Sequence, residues 1–358
     1  MKWTISGSSN LDEFLVFLAE GRQIYALESH DNGTYRLART DAWQPGQHTL
    51  GEYRQTEPLK ALFFPAREFI GKWGETVDRE PMPERIVFGV KNCDLSSLAI
   101  FDHVFLHGVD KDTYYAEARD KTILVSTDCS SQLDVCFCPA VGEQPHARQG
   151  FDINVAETPD GHVIEAGSER GRELLESAKQ FLEPASEALI ETLEQQRSSR
   201  YEELVEQGAA HGLSPGMDFR AAVEGAFEDG LWADFAEGCV ECGACNFICC
   251  TCHCFLLADG LDADGKAART KLWDACLYSG FAAVAGGGNA RPLRAERLRN
   301  RFDKKFSYFP QVMDRYACDG CGRCTEACIA NIDIRDVLRR AVDVSDTLHA
   351  RPSDHRAD

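Results

Sequence analysis

Two stretches of this chain repeat one spacing of cysteines: Cys239-Val-Glu-Cys242-Gly-Ala-Cys245-Asn-Phe-Ile-Cys249, and Cys318-Asp-Gly-Cys321-Gly-Arg-Cys324-Thr-Glu-Ala-Cys328. Thiolates are soft metal ligands, and three of them at intervals of three residues let a tight loop wrap three corners of one metal–sulfide cube. The fourth then begins a helix and points away. This C-x2-C-x2-C-x3-C spacing holds [4Fe–4S] clusters in two-cluster ferredoxins, where the fourth cysteine ligates the other cluster. The pattern therefore assigns Cys239, Cys242, Cys245 and Cys328 to one cluster, and Cys318, Cys321, Cys324 and Cys249 to a second. Gly243 and Gly322 sit between the second and third cysteines, where a small residue lets backbone N–H groups approach cluster sulfur. The proline that commonly follows the fourth cysteine is replaced by Cys250 in the first motif and Ile329 in the second. Structural zinc also uses C-x2-C pairs, but it joins two such knuckles and does not add a third cysteine followed by x3-C.

Eight of the sixteen cysteines lie outside the eight just assigned, enough for two more four-thiolate sites. Cys93, Cys129, Cys136 and Cys138 form the first candidate set, for a third [4Fe–4S] cluster. Cys250, Cys252, Cys254 and Cys276 form the second, for a fourth cluster, with packing or ligand exchange as the competing role. Cys252 and Cys254 alternate along an extended segment and so share a face, to which Cys276 must return. His253, between them, is read as a neighbour in preference to a ligand. The Gly286-Gly287-Gly288 run lacks both the G-x-G-x-x-G and the P-loop pattern, so it carries no nucleotide-binding signal.

The elements that must position these thiols are partly visible. Leu11, Phe14, Leu15 and Leu18 have helical spacing, and Gln23 to Leu27 reads as a strand, followed by a loop-rich stretch to about Pro83. Arg85 to Val90 reads as a buried strand, Asp94 to Phe105 as a helix and Lys121 to Ser126 as another strand, the order of a parallel α/β unit. Functional groups gather outside the carboxyl ends of such strands. Cys93 and Cys129 each follow one of these strands by three residues. The expected fold is an α/β amino-terminal domain (1–150), an acidic helical region (151–237), and a mainly α-helical dicluster ferredoxin-like domain (238–340). That last domain carries an insertion at 255–311 and is followed by a polar tail (341–358).

Charge is unevenly spread. The chain has 38 Lys and Arg against 58 Asp and Glu, a formal net charge of -20. Much of the excess falls between residues 150 and 237, as a solvated helical surface or a face for a basic partner subunit. Arg291 to Lys305, in contrast, is basic, and either neutralises clusters or docks a partner. The overall acidity argues against nucleic acid as a partner. No stretch of about 20 apolar residues exists to span a membrane. Sixteen cysteines in 358 residues lie below the roughly 8–10% of disulfide scaffolds. With no apolar signal segment at Met1 to Asn10, a cytoplasmic, reducing location is expected.

The order Gly89-Val-Lys-Asn-Cys93, Cys136-Phe-Cys138, Cys239 to Cys254, Trp273-Asp-Ala-Cys276, Gly280-Phe281, Arg291-Pro292, Glu296-Arg297 and the second cluster motif resembles the dicluster iron–sulfur family. That family includes the beta subunit of soluble NiFe hydrogenase (sulfhydrogenase) and an iron–sulfur subunit of anaerobic sulfite reductase. The resemblance covers roughly Arg85 to Ile334. It implies an electron-transfer subunit that works between a flavin-containing, NAD(P)H-handling reductase and a terminal catalytic subunit (reductase, hydrogenase or heterodisulfide-reductase-like). It also implies that the carboxyl half resembles an α-helical ferredoxin domain. Cys250 stands where such proteins have proline in a Cys-Pro-Thr-Cys pattern. No Ser/His/Asp, paired-carboxylate or nucleotide-loop arrangement marks the chain as a catalyst by itself. The alternative is a self-contained iron–sulfur oxidoreductase binding flavin or substrate near Cys93 and Cys129. A redox-sensing regulator fits the acidic charge poorly.

Overall fold

The structure, a computed structural model, describes residues 2–73 and 79–349. Its amino-terminal part is built on a nine-stranded mixed sheet. The strands are β1 (Lys2–Ile5), β2 (Gln23–Ser29), β3 (Tyr35–Thr40), β4 (His48–Thr49), β6 (Arg85–Val90), β7 (Thr122–Ser126), β8 (Ile153–Thr158), β9 (Gly161–Ala166) and β10 (Glu183–Pro184), with β5 (Arg67–Lys72) placed elsewhere. Spatial order is β10-β1-β9-β8-β7-β6-β2-β3, with β4 paired to β2. β2, β6, β7 and β8 run parallel at its centre, and the remaining pairings are antiparallel.

β6 and β7 are buried along their whole length, as continuous apolar runs in a parallel sheet require. Alternation divides their side chains between two cores. Ile86, Phe88, Ile123 and Val125 face one core with Phe14, Leu15 and Leu18 of the Ser8–Ala19 helix. Val87 and Leu124 face the other, with Leu98, Phe101 and Phe105 of the Asn92–Leu106 helix. The expected strand–helix–strand unit is present, with the second helix Thr113–Asp120 added before β7.

The loop-rich stretch before Pro83 also supplies the short strands β3, β4 and β5. One expectation is corrected. The acidic region is not wholly helical: β8 and β9 lie within it and complete the amino-terminal sheet, and only later do the Glu169–Ser177 and Glu187–Ala210 helices follow. Pro184 sits in β10, between the two helices.

Towards the carboxyl end, helices Phe219–Gly225, Leu231–Glu237, Arg294–Phe302 and Ile334–His349 pack around a core containing Phe219, Trp232, Phe302, Phe306 and Leu338. The insertion departs from an all-helical reading: β11 (Phe255–Leu261) and β12 (Ala267–Trp273) form a hairpin that pairs with β5 in a second, three-stranded sheet. The polar tail is helical as far as His349, and residues 350–358 lie outside the described residues.

Candidate iron–sulfur centres

The two cysteine motifs fold alike. Glu241 and Gly320, each just before the second cysteine, have φ of 58° and 65°; Gly243 and Gly322, just after it, have φ of 74° and 68°. Each of the latter two glycines starts a single helical turn, Ala244–Phe247 in the first motif and Arg323–Glu326 in the second. A Cβ on Gly322 would lie 2.3 Å from the Val135 carbonyl oxygen, and one on Gly243 2.9 Å from the Ala275 Cβ. Handedness and close packing therefore both demand glycine here, a stronger reason than access to sulfur alone.

Cys239, Cys242, Cys245, Cys324 and Cys328 line one cavity. The fourth cysteine of the second motif thus meets the first three of the first motif. Reciprocally, the Cys249 thiol interacts electrostatically with Cys318, Cys321 and Cys324. Cys242 is exposed and Cys239 partly so, whereas the second group lies deeper. Among the described residues, no three His, Cys, Asp or Glu side chains converge tightly enough to hold a single metal ion.

The strongest mark of the site is its buried cations. Arg297, Arg301 and Lys305 are all buried and fall at intervals of four on the Arg294–Phe302 helix and its continuation. Lys305 Nζ donates to Cys249 Sγ at 3.2 Å, Thr251 Oγ1 at 2.7 Å and the Ala317 carbonyl at 2.9 Å. Arg301 donates to the Cys245 carbonyl at 3.4 Å, and its Nε has no partner. Cys324, Cys245, Cys252 and Cys249 surround that guanidinium and push its pKa up against the opposing effect of burial. Lys60, also buried, donates to the Asn246 and Cys252 carbonyls at 3.3 and 2.9 Å. Lys305, Arg301 and Lys60 hydrogen-bond carbonyl, hydroxyl and sulfur acceptors and no carboxylate. Burying charge without compensation is expensive, so the cysteine sulfurs and what they hold must provide the negative charge. Within the basic stretch, Arg301 and Lys305 face cysteine sulfurs, whereas Arg297 pairs with Glu241.

Cys93 and Cys129 are placed by the sheet. Val90 of β6 pairs with Ser126 of β7, after a register shift at Gly89, so the thiols three residues beyond emerge side by side. Gly89 has φ of 79°, and a Cβ there would lie 2.8 Å from the Leu50 carbonyl oxygen. Phe137 N donates to the Gly320 carbonyl at 2.8 Å and Gln207 Nε2 to the Cys136 carbonyl at 2.7 Å, fixing the Cys136–Cys138 turn between the second motif and the Glu187–Ala210 helix. Cys93 interacts with Cys129 and Cys321, and Cys138 with Cys136 and Cys129. Burial pushes the Cys136 thiol up to about 11 and Cys138 well above its ordinary value. Buried Lys91 donates to the Gly51 and Asp128 carbonyls at 2.6 and 3.0 Å and faces Cys129 and Cys93.

The second candidate set divides. Cys252, Cys254 and Cys276 line one cavity. Cys250 instead donates to Asp319 Oδ2 at 3.4 Å and lies 3.8 Å from Cys321 Sγ. Its hydrogen bond is the main cause that brings the Cys321 thiol down to about 6, with Arg323 and Arg54 assisting. His253 bonds the Thr251 carbonyl through Nδ1 at 3.0 Å and packs edge-on against Phe101 and Phe309; burial lowers its pKa to about 3.

Residues 238–332 match the family model described as a 4Fe-4S dicluster domain. Along 340 residues, 94% of this chain and 98% of the relative, the sequence is 29% identical to sulfhydrogenase 2 subunit beta of Pyrococcus furiosus. Both findings make the chain similar to the dicluster 4Fe-4S hydrogenase beta subunits. The donor set fits the [4Fe–4S] clusters of that domain description: soft thiols brought together from both motifs, with buried cations beside them. Sequence reasoning missed the single cations Lys60, Lys91, Arg54 and Arg323. Arg323 had a signal, standing inside the second motif between Gly322 and Cys324, and Arg297, Arg301 and Lys305 had another in their spacing of four.

Proposed function

We propose that this chain is an iron–sulfur electron-transfer subunit of a multisubunit oxidoreductase, relaying electrons between a flavin or NAD(P)H-type reductase and a terminal catalytic subunit. Cys239, Cys242, Cys245 and Cys328 hold one cluster; Cys249, Cys318, Cys321 and Cys324 hold a second; Cys93, Cys129, Cys136 and Cys138 hold a third. When bound, each cluster supplies a one-electron redox site. The observation that carries the reading is the contiguity of the thiol groups. Cys321 interacts with Cys93 at one side, and Cys324 with Cys245 at the other, so the three groups form a row that begins in the α/β part and reaches the surface at Cys242. This chain's own residues exclude water from the middle of the row and balance its charge with Arg301, Lys305 and Lys91. The name of the relative, a hydrogenase subunit, supports assembly with other subunits.

Anaerobic purification of the complex, with iron and sulfide counted per chain, tests the cluster sets: the ferredoxin pair alone gives about eight iron, and the third set raises this to about twelve. Cys242→Ala and Cys321→Ala should each remove one cluster and stop electron flow to the terminal subunit. Physiological turnover that survives both changes would make the clusters structural and the relay reading wrong.

A second reading, flavin or substrate binding in the α/β part, has one observation behind it. A cleft beside Cys129 is walled by Trp43, His48, His146, His162 and Arg200, and the buried Nε2 of His48 has no hydrogen-bond partner. Flavin retained by the purified chain, with NAD(P)H oxidation, would favour that reading over a pure relay.

A further inference from the structure

Cys252, Cys254 and Cys276 share a cavity with Asn246, Arg301, Lys304 and Lys305, and nothing in the relay row uses them. Each sulfur has a nitrogen donor aimed at it. Asn246 Nδ2 lies 3.1 Å from Cys276 Sγ and 3.7 Å from Cys252 Sγ, and Lys304 Nζ lies 3.3 Å from Cys254 Sγ. Asn246 is 2% exposed, so its amide is committed to these sulfurs and not to water. Donors directed at every sulfur are the arrangement thiolates need, since charge-assisted bonds to the ionised form are the strong ones. Two neighbours with the chemistry of a fourth ligand are turned away: Cys250 towards Asp319 and Cys321, His253 towards the Thr251 carbonyl and the rings of Phe101 and Phe309.

From this arrangement we propose that Cys252, Cys254 and Cys276 bind a further [4Fe–4S] cluster through three thiolates, leaving one iron without a cysteine ligand and open to a small exogenous donor. The proposal rests on the relay reading, because it attaches this site to the second cluster through the hydrogen-bonded neighbours Cys249 and Cys252. Charge supports it. Three thiolates on a cubane core of charge +2 leave a net −1, and Arg301, Lys304 and Lys305 stand around the cavity to meet it. An iron lacking a protein ligand is the one lost on mild oxidation: the core gives one electron to ferricyanide and releases one Fe2+, leaving a three-iron cluster with its own EPR signature.

The test uses the anaerobically purified full chain, with iron, zinc and sulfide counted and EPR spectra recorded before and after ferricyanide. Wild type should develop the three-iron signal. Cys276→Ala should lose that signal and about four iron per chain. Asn246→Cys, which puts a thiol next to the open position, should keep the iron and lose the oxidation signal, and it decides the matter if Cys276→Ala does not fold. Cys250→Ala should keep the oxidation signal, because its thiol faces Cys321 and not this cavity. An unaltered iron content in Cys276→Ala, zinc in the place of the lost iron, or an undiminished oxidation signal in Asn246→Cys overturns the proposal. Cys242→Ala separates the two claims. If it loses iron and Cys276→Ala does not, only this site fails; if neither loses iron, the relay reading fails with it.

Discussion

Arg301 condenses the chemistry of the site into one side chain. A guanidinium held away from water among cysteines, with an unpartnered Nε, favours whichever state of its surroundings carries more negative charge, and a reduced cluster carries one more than an oxidised one. Replacing it by Met keeps most of the volume and removes the charge. We expect Arg301→Met to lower the midpoint potential of at least one cluster by tens of millivolts in an EPR-monitored titration, with Arg301→Lys between it and wild type; an unchanged potential would show that the charge is balanced elsewhere. Gly322 gives a second test at this scale. Gly322→Ala meets both a left-handed backbone and the Val135 carbonyl, and should cost about 1–3 kcal/mol along with iron content. Gly46→Ala, at φ of 79° but with nothing within 4 Å, should cost about 1 kcal/mol and leave iron content intact. Equal losses from the two alanines in urea unfolding would mean that packing against Val135 contributes nothing. The cysteine motifs were legible in the sequence because their spacing is local; Val135, nearly two hundred residues from Gly322, was not.

Among the elements, the helix that begins at Arg294 matters most, because it changes character where the clusters need it. Its regular turn ends at Phe302 and continues as a π-helical segment, Asp303–Tyr308, a form that recurs at functional sites. The widened turn brings the consecutive residues Lys304 and Lys305 onto different sulfurs, Cys254 and Cys249. Its first residue, Asp303, is strained electrostatically by that position: burial raises the carboxyl to about 6, with Arg299 and Arg291 only partly opposing. A folded-state value above the ordinary 3.8 means the fold prefers the protonated acid, so its contribution is fully present below about pH 4 and disappears as pH rises through 6. Asp303→Asn should therefore gain on the order of 1 kcal/mol over wild type at pH 7 and nothing at pH 4, read from thermal unfolding at both values. A gain that does not depend on pH would place the effect in packing and not in charge. Periodicity held a sign of this helix's buried face in the spacing of Arg297, Arg301 and Lys305, which reading the segment as a basic stretch left unused. It could not expose the π turn, nor the β11–β12 hairpin, whose partner β5 lies nearly two hundred residues earlier and gives no local sign of the pairing.

Across the whole molecule, the question is whether the α/β part and the dicluster part are separate bodies. The sequence divides them by composition and motif, and that division is legible because cysteine density changes sharply at Gly238. What joins them was hidden, since it consists of single polar residues meeting from distant segments. Arg323, inside the second motif, forms an ion pair with Asp94 at 2.7 Å, and both side chains are almost wholly buried. Asp94 also accepts from the Leu59 N–H at 3.0 Å and Gln55 Nε2 at 3.1 Å, while Arg323 donates to the Gln55 and Thr56 carbonyls. Arg54 donates to the Cys321 carbonyl at 2.6 Å and pairs with Glu326. One carboxylate next to Cys93 thereby holds the loop that carries Cys321, across the junction of the α/β and dicluster parts. Removing half of such a pair leaves the other charge buried and unmatched, which costs about 3–5 kcal/mol. Asp94→Ala should lower stability by that amount, whereas the double change Asp94→Leu with Arg323→Met should recover a good part of it. The more telling readout is cooperativity. In wild type, loss of cluster absorbance and loss of far-ultraviolet helicity should coincide on urea titration; in Asp94→Ala the second motif should release its cluster before the sheet unfolds, separating the two curves. Coincident curves in the variant would show that the parts are joined mainly by other contacts, and that Asp94 serves stability alone.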